Sequence, residues 1–291
     1  MRILVTGSNG QLGSEIRHIA PSYPDYSFIF TDVAELDITD AGAVKSFLAE
    51  NPVDAIINCA AYTSVDKAET ERTLAYKINV DGPENLANAA VRKNILLVHI
   101  STDYVFEGTH SSPASELDPV KPMGFYGATK LFGEKAIRNS GARAMIIRTS
   151  WLYSAYGVNF VKTMRKYGLE RGELRIVSDQ IGSPTYAADL AKTLLDIIPQ
   201  YKRHDCDIFH YSNEGVASWY DFAWEIVRLS GIDCAVSPIS TEEYPLPAPR
   251  PAYSVLSKAK IRQTFSLEIP YWRDSLKACI ARLETMENQG S

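Results

Sequence analysis

Short apolar runs alternate with longer amphipathic stretches along the first half of the chain. The runs are rich in Ile, Leu and Val, end in polar residues, and lie at 2–7, 28–32, 55–61, 96–102 and 144–150. Such runs are typical of strands that are buried on both faces of a parallel sheet. The stretches between them predict helices at 11–20, 40–50, 79–93 and 126–139. This alternation predicts an α/β fold, a Rossmann-type doubly wound parallel sheet with right-handed crossovers.

After residue 150 the pattern is looser. It predicts a strand at 174–178 and helices near 157–170, 185–198, 217–230 and 271–286. The segment 243–253 has four prolines in eleven residues, which predicts an extended loop. We therefore expect a dinucleotide-binding domain formed by 1–150 and about 175–199. A smaller C-terminal α/β substrate lobe would comprise about 151–174 and 200–291.

Composition and charge narrow the range of partners. The 291-residue chain has 30 Lys and Arg against 35 Asp and Glu, a net charge of −5, and its basic residues are scattered. It therefore has no electrostatic footprint for nucleic acid, although a few arginines in a cleft would suffice for a small anion. The four cysteines lie far apart and are expected to be reduced thiols. No stretch approaches 18 apolar residues. The sequence predicts a cytoplasmic protein that binds neither nucleic acid nor membrane.

The segment "VTGSNGQLG" at 5–13 follows the first predicted strand and opens the first helix. Its glycines, Gly7, Gly10 and Gly13, permit a tight turn, close approach of the backbone to a pyrophosphate, and close contact between helix and strand. Asp32 ends the second strand, about 20 residues after this loop. A carboxylate there can bind the 2′-hydroxyl of a ribose, which favours NAD over NADP, or it can form a turn.

The segment "FYGATK" at 125–130 places Tyr126 four residues before Lys130. On a helix, residues four apart lie on one face, about 5–6 Å apart at Cβ. An ammonium close to a phenol lowers the pKa of that phenol, which makes tyrosine a usable proton donor near neutral pH. Ser101 and Thr102, at the end of the fourth strand, would lie at the sheet edge where such folds bind ligands. Thr102 could therefore donate a hydrogen bond to a carbonyl oxygen.

The glycine loop, the strand-end threonine and the Y-x-x-x-K pair together make the chain resemble the extended short-chain dehydrogenase/reductase superfamily. Within it, the chain resembles the dTDP-4-dehydrorhamnose reductase family from Met1 to about Trp272. The segments that carry this resemblance are "GSNGQLG", "INCAAYTSVDKAE", "STDYVFEG", "YGATKLFGEKA", "RTSWLY", "NFVKTM", "SDQIGSPT" and "APRPAYSVL".

The resemblance implies a role for each matching residue. Tyr126 would protonate the C4 carbonyl oxygen of a dTDP-sugar as hydride arrives from NADPH or NADH. Lys130 would lower the pKa of Tyr126 and hold the nicotinamide ribose, and Thr102 would hydrogen-bond the reacting oxygen. Asp103, Trp151 and Arg250 would bind substrate, with Arg250 on the diphosphate. The implied cofactor-binding residues are Gly7, Asn9, Gly10, Gln11, Leu12, Gly13, Asp32, Asp37, Ile38, Ala60, Ala61, Tyr62, Thr63, Tyr126 and Lys130.

Several alternatives stay open at this point. Trp151 could be a core residue between lobes, and Arg250 could pair with a nearby carboxylate. Some members of the family hold Mg²⁺ with carboxylates at a subunit contact. Glu15 matches one such position, but Ala188 stands where the second carboxylate is expected, with Asp189 beside it. Binding of Mg²⁺ is therefore in doubt here, and no metal-binding residue is assigned. The oligomeric state stays open, with a homodimer as one alternative.

Two other functions fit the same fold. A nucleotide-sugar 4,6-dehydratase of this superfamily would carry Thr-Asp-Glu, whereas this chain has Thr102-Asp103-Tyr104. An epimerase is harder to separate by residue types. The regulatory subunit of methionine adenosyltransferase shares the fold and is not catalytic. Intact Thr102, Tyr126 and Lys130 favour an enzyme, and the resemblance favours the reductase.

Overall fold

The computed structural model describes residues 1–109 and 111–289. The strands are β1 (Arg2–Thr6), β2 (Ser27–Thr31), β3 (Ala55–Asn58), β4 (Leu96–Thr102), β5 (Ala144–Thr149), β6 (Leu152–Tyr153), β7 (Glu173–Val177), β8 (Ile181–Gly182), β9 (Thr185–Tyr186), β10 (Cys206–His210), β11 (Ala217–Ser218) and β12 (Ala235–Ile239). The helices are α1 (Gln11–Ile19), α2 (Ala41–Glu50), α3 (Val65–Ala68), α4 (Arg72–Tyr76), α5 (Gly82–Lys93), α6 (Phe125–Ser140), α7 (Phe160–Arg171), α8 (Ala187–Ile197), α9 (Trp219–Leu229), α10 (Ala259–Phe265) and α11 (Trp272–Gln289). In this part of the chain, no helix is both long and apolar enough to cross a membrane.

Six strands form one parallel sheet in the order β10-β5-β4-β3-β1-β2. The doubly wound parallel sheet predicted from the apolar runs is therefore confirmed. β2 lies on one side of β1 and β3 on the other, so the direction of winding reverses at β1. In such sheets a crevice opens at the carboxyl ends of the strands beside this reversal. The glycine loop follows β1 at that edge.

Alternate residues of the central strands enter two different cores. Ile3 and Val5 contact the cluster that includes α1 and α8, whereas Leu4 contacts the cluster on the side of α2 and α5. All three side chains are fully buried. A strand with a core on each face must be apolar at every position, which is why these strands appear in the sequence as continuous apolar runs.

The helix predicted at 79–93 begins earlier and is irregular. α4 runs through a π-helical turn, Lys77–Asp81, into α5. Asn79 in this turn is fully buried, and its amide holds the backbone N and O of Tyr62, at 2.9 and 3.0 Å. Single π turns inside helices occur mostly at functional sites. Here the turn fixes the loop that follows β3.

The second half of the chain adds a smaller lobe with its own core. β7 pairs with β12 outside the main sheet, and α7, α9 and α11 bury aromatic and aliphatic side chains together. Two strands differ from the predicted boundaries. β10 pairs with β5 in the main sheet although 200–291 was assigned to the lobe, and β7 leaves the sheet although 175–199 was assigned to it. Asp207 and His210 made β10 too polar to be recognised as a core strand.

Candidate active site

The glycine loop closes tightly around the end of β1. Gly7 has φ +62°, and a Cβ there would lie 2.5 Å from the backbone N of Ala60. A Cβ on Gly13 would lie 2.4 Å from Cα of Ser8. Gly10 caps the N-terminus of α1, and no side chain caps it. The loop therefore offers a bare backbone cradle at a helix N-terminus, which is the arrangement that binds a pyrophosphate. These residues fit a dinucleotide.

Two cavities meet at this loop and share Gly7, Gly10, Cys59 and Ala61. The smaller, about 390 Å³, is lined by Asp32, Asp37, Ile38 and Ala60, among others. The larger, about 590 Å³, is lined by Gln11, Leu12, Thr63, Thr102, Asp103, Tyr126, Lys130 and Trp151, among others. Most of the side chains predicted from the sequence thus line these two adjoining cavities.

Asp32 is already engaged by the protein backbone. Its Oδ2 accepts a hydrogen bond from the Asn9 amide at 3.0 Å, and its Oδ1 accepts one from Val33 at 2.8 Å. The carboxylate therefore ties the glycine loop to the end of β2. Each oxygen has a second lone pair that a ribose hydroxyl can use.

Two predicted cofactor residues make hydrogen bonds within the protein. The Asn9 amide holds Asp32. The Tyr62 side chain is buried, and its hydroxyl donates to Glu71 at 2.7 Å. Tyr62 lines neither cavity, so the structure gives its side chain the role of supporting the loop after β3.

Thr102 and Tyr126 meet at the centre of the larger cavity. Thr102 ends β4, donates to Asp103 Oδ1 at 3.0 Å, and accepts from the Tyr104 amide at 3.2 Å. Burial raises the pKa of Tyr126 to about 12, and a hydrogen bond with Thr102 opposes part of that rise. The phenol is therefore protonated at neutral pH, which is the state that a proton donor needs.

Lys130 is not among the groups that shift the pKa of Tyr126 in this structure, and a lowering of that pKa by Lys130 stays a prediction. Its Nζ donates to the carbonyl of Ile100 at 2.7 Å and lies 3.4 Å from Nε2 of His99. The Lys130 ammonium is thus directed towards β4, and desolvation has the largest effect on the pKa of Tyr126. Burial also lowers the pKa of Lys130 to about 8, against the charge of Glu134.

A buried ion pair lies under the catalytic residues. Arg148 on β5 holds Glu134 on α6 with two hydrogen bonds, at 2.9 and 2.7 Å, and both side chains are almost fully buried. Ser101 donates to the same carboxylate at 2.6 Å. Because Lys130 lies one turn before Glu134, this pair fixes the part of α6 that carries Tyr126 and Lys130.

Asp103 is buried beside Thr102, and burial raises its pKa to about 7, against hydrogen bonds from Ser254 and Thr102. The folded protein favours the protonated form of Asp103. The stability that this group contributes is therefore fully present below the pKa that Asp103 has in the unfolded chain. It is lost as the pH rises towards the folded value.

We expect the wild-type protein to lose ~4 kcal/mol of unfolding free energy relative to Asp103→Asn between about pH 4 and pH 8. The asparagine keeps the shape and cannot ionise. Urea denaturation of both proteins across this range measures the difference. Parallel pH curves would show that Asp103 does not titrate in this range.

Trp151 has φ +47°, a left-handed conformation that is rare for a bulky residue. Its indole stacks on Trp219, with ring centroids 3.6 Å apart and an interplanar angle of 8°. Phe160 lies 4.6 Å from Trp219, and all three rings line the larger cavity. Strained residues of this kind cluster at functional sites. These three side chains form the aromatic wall of the cavity.

Arg250 is paired with a carboxylate, the alternative that the sequence left open. Its two terminal nitrogens donate to Asp66 at 2.6 and 2.7 Å, and its side chain is largely buried. The Ala248 amide also donates to Asp66, at 3.1 Å. The pair fastens the proline-rich loop to α3, and Arg250 does not line either cavity.

The residues considered for Mg²⁺ do not fit a metal. Glu15 is fully buried and accepts from Ser154 at 2.6 Å and from Arg282 at 2.5 Å. Asp189 accepts from Asn213 at 2.7 Å and from Ser275 at 2.5 Å. Both carboxylates therefore already have hydrogen-bond partners within the chain, and Glu15 is also paired with the Arg282 guanidinium. Among residues 1–109 and 111–289, no cluster of His, Cys, Asp and Glu could hold a metal ion.

Several cavity residues did not emerge from the sequence. They are Cys59, Val65, Tyr104, Thr149, Ser150, Val158, Phe160 and Trp219. Trp219 begins α9, where the aromatic content of 217–230 was visible but predicted only a helix. Cys59 directly follows β3, and position at a strand end was the one available signal for it.

The parallel sheet, the glycine cradle and the Thr102–Tyr126–Lys130 arrangement together define an oxidoreductase of the short-chain dehydrogenase/reductase class.

The family model described as the RmlD substrate binding domain matches residues 1–285, and the chain belongs to this family of dTDP-4-dehydrorhamnose reductases. It is 40% identical to a dTDP-4-dehydrorhamnose reductase from Aggregatibacter actinomycetemcomitans, over 95% of this chain and 97% of the relative.

Two solved structures of dTDP-4-dehydrorhamnose reductases are similar to this chain over nearly its whole length. The crystal structure of a dTDP-4-dehydrorhamnose reductase from Clostridium acetobutylicum has a TM-score of 0.93 and 46% identity, covering 98% of this chain and 100% of that one. The Bacillus anthracis enzyme in complex with NADP has a TM-score of 0.92 and 40% identity, covering 97% of this chain and 99% of that one.

Proposed function

We propose that the protein reduces the C4 keto group of dTDP-4-dehydro-6-deoxy-L-mannose (dTDP-4-dehydrorhamnose) to give dTDP-L-rhamnose, in dTDP-rhamnose biosynthesis. The observation that carries this proposal is that Thr102, Tyr126 and Lys130 line one cavity together with Gly7 and Gly10 of the glycine loop and with Trp151. Relatives named for this reaction, similar over nearly the whole chain, support the same substrate.

The residues divide the reaction between them. When bound, NADPH or NADH supplies the hydride. Tyr126 donates its phenolic proton to the C4 oxygen, and Thr102 hydrogen-bonds that oxygen, so that a carbonyl becomes a secondary alcohol. Lys130, one helical turn from Tyr126, binds the nicotinamide ribose, and its ammonium places a positive charge in the site. Asp103 and Trp151 hold the sugar.

Cofactor contacts follow from the two cavities. Gly7, Gly10, Gln11 and Leu12 would hold the pyrophosphate at the start of α1, with Asn9 and Gly13 shaping the loop. Asp32, Asp37 and Ile38 would contact the adenosine half of the cofactor. Ala60, Ala61 and Thr63, which follow the end of β3, would contact the cofactor from that strand end. The free thiols Cys59, Cys206, Cys234 and Cys279 fit a cytoplasmic location, and a homodimer stays a prediction.

The diphosphate assignment of Arg250 must account for Asp66. Because the carboxylate already neutralises the guanidinium, a diphosphate would have to displace Asp66 or share Arg250 with it. The proline-rich loop is fastened by this same pair. We therefore propose that Arg250 acts at the substrate entrance, and that its contact with substrate depends on release of Asp66.

The test is spectrophotometric. We expect the protein to oxidise NADPH or NADH with dTDP-4-dehydrorhamnose, and to act far more slowly on the corresponding UDP and GDP sugars. Failure to oxidise either cofactor with any of these sugars would overturn the proposal and favour a non-catalytic role. Preference for a UDP sugar would identify a different nucleotide-sugar reductase.

Asp32→Ala is expected to weaken NADH binding more than NADPH binding, because the carboxylate beside the smaller cavity can accept hydrogen bonds from the 2′-hydroxyl of NADH. The loss of one charge-assisted hydrogen bond corresponds to about 10- to 100-fold in Kd. Titration of each cofactor by fluorescence measures it. Equal losses would assign Asp32 only its observed role of holding the Asn9 amide.

A further inference from the structure

Trp151 contacts two residues that the proposed chemistry does not use. On one side its indole stacks on Trp219 at 3.6 Å. Elsewhere it contacts Gly182, where a Cβ would lie 2.5 Å from Cε2 and 2.7 Å from Cζ2 of the indole. The third neighbour of such a Cβ would be Ser254 Oγ at 2.8 Å.

The backbone brings these two residues together. β8 and β11 pair antiparallel, with Gly182 opposite Ala217 and Ile181 opposite Ser218. Ser218 then caps α9, and Trp219 is the first residue of that helix. The pairing of these two short strands thus links Gly182 to Trp219, the two residues that contact the indole.

The backbone of Trp151 is also held in place by its neighbours. Its φ of +47° persists because the following residues form β6, which pairs with β9, and because its carbonyl accepts from the Thr185 amide at 3.1 Å. A bulky side chain in this conformation has to be positioned by its surroundings. The residues that line the cavity from the same strand end, Thr149 and Ser150, connect this position to the site of Tyr126.

We propose that Gly182 and Trp219 are specificity-determining positioning residues, which fix the indole of Trp151 so that it orients the pyranose ring of the substrate towards Tyr126. The inference rests on the proposed function. A pyranose ring binds to indole through its apolar C–H faces, so a small displacement of the indole changes both sugar affinity and alignment of the reacting carbonyl. The nucleotide and the cofactor have no part in this contact.

The experiment compares dTDP-L-rhamnose with dTDP, in the presence of NADP⁺, by calorimetry. Gly182→Ala adds one methyl group that must displace the indole or Ser254, and Trp219→Leu removes the stacking partner. For each variant we expect about 10-fold weaker binding of dTDP-L-rhamnose and a kcat lowered ~10- to 100-fold. The affinities for dTDP and NADPH should change less than twofold.

Matched variants separate this role from general damage. Trp224→Leu removes a half-exposed tryptophan from the same helix and should leave every constant unchanged. Trp219→Phe keeps an aromatic ring and should recover part of the loss. Adding Ser254→Ala to Gly182→Ala opens room beside the methyl group, and should not restore sugar binding if the indole is the group displaced.

Three results would contradict this proposal or the function on which it rests. Unchanged dTDP-L-rhamnose binding in both Gly182→Ala and Trp219→Leu would overturn the proposal. So would equal losses for dTDP and dTDP-L-rhamnose in Gly182→Ala with a native melting temperature, because the contact would then serve the nucleotide. A wild-type protein that binds dTDP-L-rhamnose no more tightly than dTDP would instead contradict the proposed function itself.

Discussion

Tyr126→Phe is expected to lower kcat by roughly 10²- to 10⁴-fold while NADPH still binds. The phenylalanine keeps the ring and removes the proton that the C4 oxygen must receive. Burial holds the pKa of Tyr126 at about 12, so the wild-type phenol carries this proton throughout the neutral range. Steady-state kinetics with dTDP-4-dehydrorhamnose, together with cofactor titration, measures the two quantities separately.

Tyr104 provides the control for Tyr126. Its ring lies 5.6 Å from that of Tyr126 in an edge-to-face arrangement and lines the same cavity. Tyr104→Phe should retain most of the activity, since its hydroxyl has no place in the proposed proton transfer. A Tyr126→Phe enzyme that kept more than half of the wild-type kcat would show that another group is the acid.

Glu134→Gln is expected to cost about 3–5 kcal/mol of unfolding free energy. The substitution keeps the shape of the side chain and leaves the buried Arg148 guanidinium without a counter-charge, and breaking one side of a buried pair is costly. Urea denaturation at pH 7 measures the change.

Glu107→Gln is the matched control, because its pair with Lys121 is solvent-exposed. Exposed pairs contribute less than about 1 kcal/mol. If both variants lost the same small amount, the Arg148–Glu134 pair would not anchor α6 beneath the active site.

The sequence predicted the strands that are apolar on both faces, and could not predict the polar one. In β10, Asp207 pairs with Lys260, and the His210 amide donates to Glu116 at 2.9 Å. These partners lie about 50 and 94 residues away in the chain, so no local pattern reveals that a polar strand will find them. The exchange of β7 and β10 between the predicted domains has this origin.

Within the site, the types of residue were predictable from the sequence, whereas the directions of their side chains were not. Helical spacing places Lys130 and Tyr126 on one face of α6, but Lys130 donates to Ile100 on β4, a contact between distant parts of the chain. Trp219 is a similar case, because its position beside Trp151 depends on the pairing of β8 with β11. Motifs at strand ends were predictable because parallel strands end at one edge.

The central claim, that this crevice delivers hydride to the C4 carbon of a dTDP-sugar, has one direct measurement. The protein is incubated with dTDP-4-dehydrorhamnose and nicotinamide cofactor deuterated at both C4 positions, and the product is examined by mass spectrometry and NMR. We predict dTDP-L-rhamnose with one deuterium, located at C4 of the sugar. Deuterium at another carbon, or turnover of the sugar with no deuterium transferred, would contradict the account.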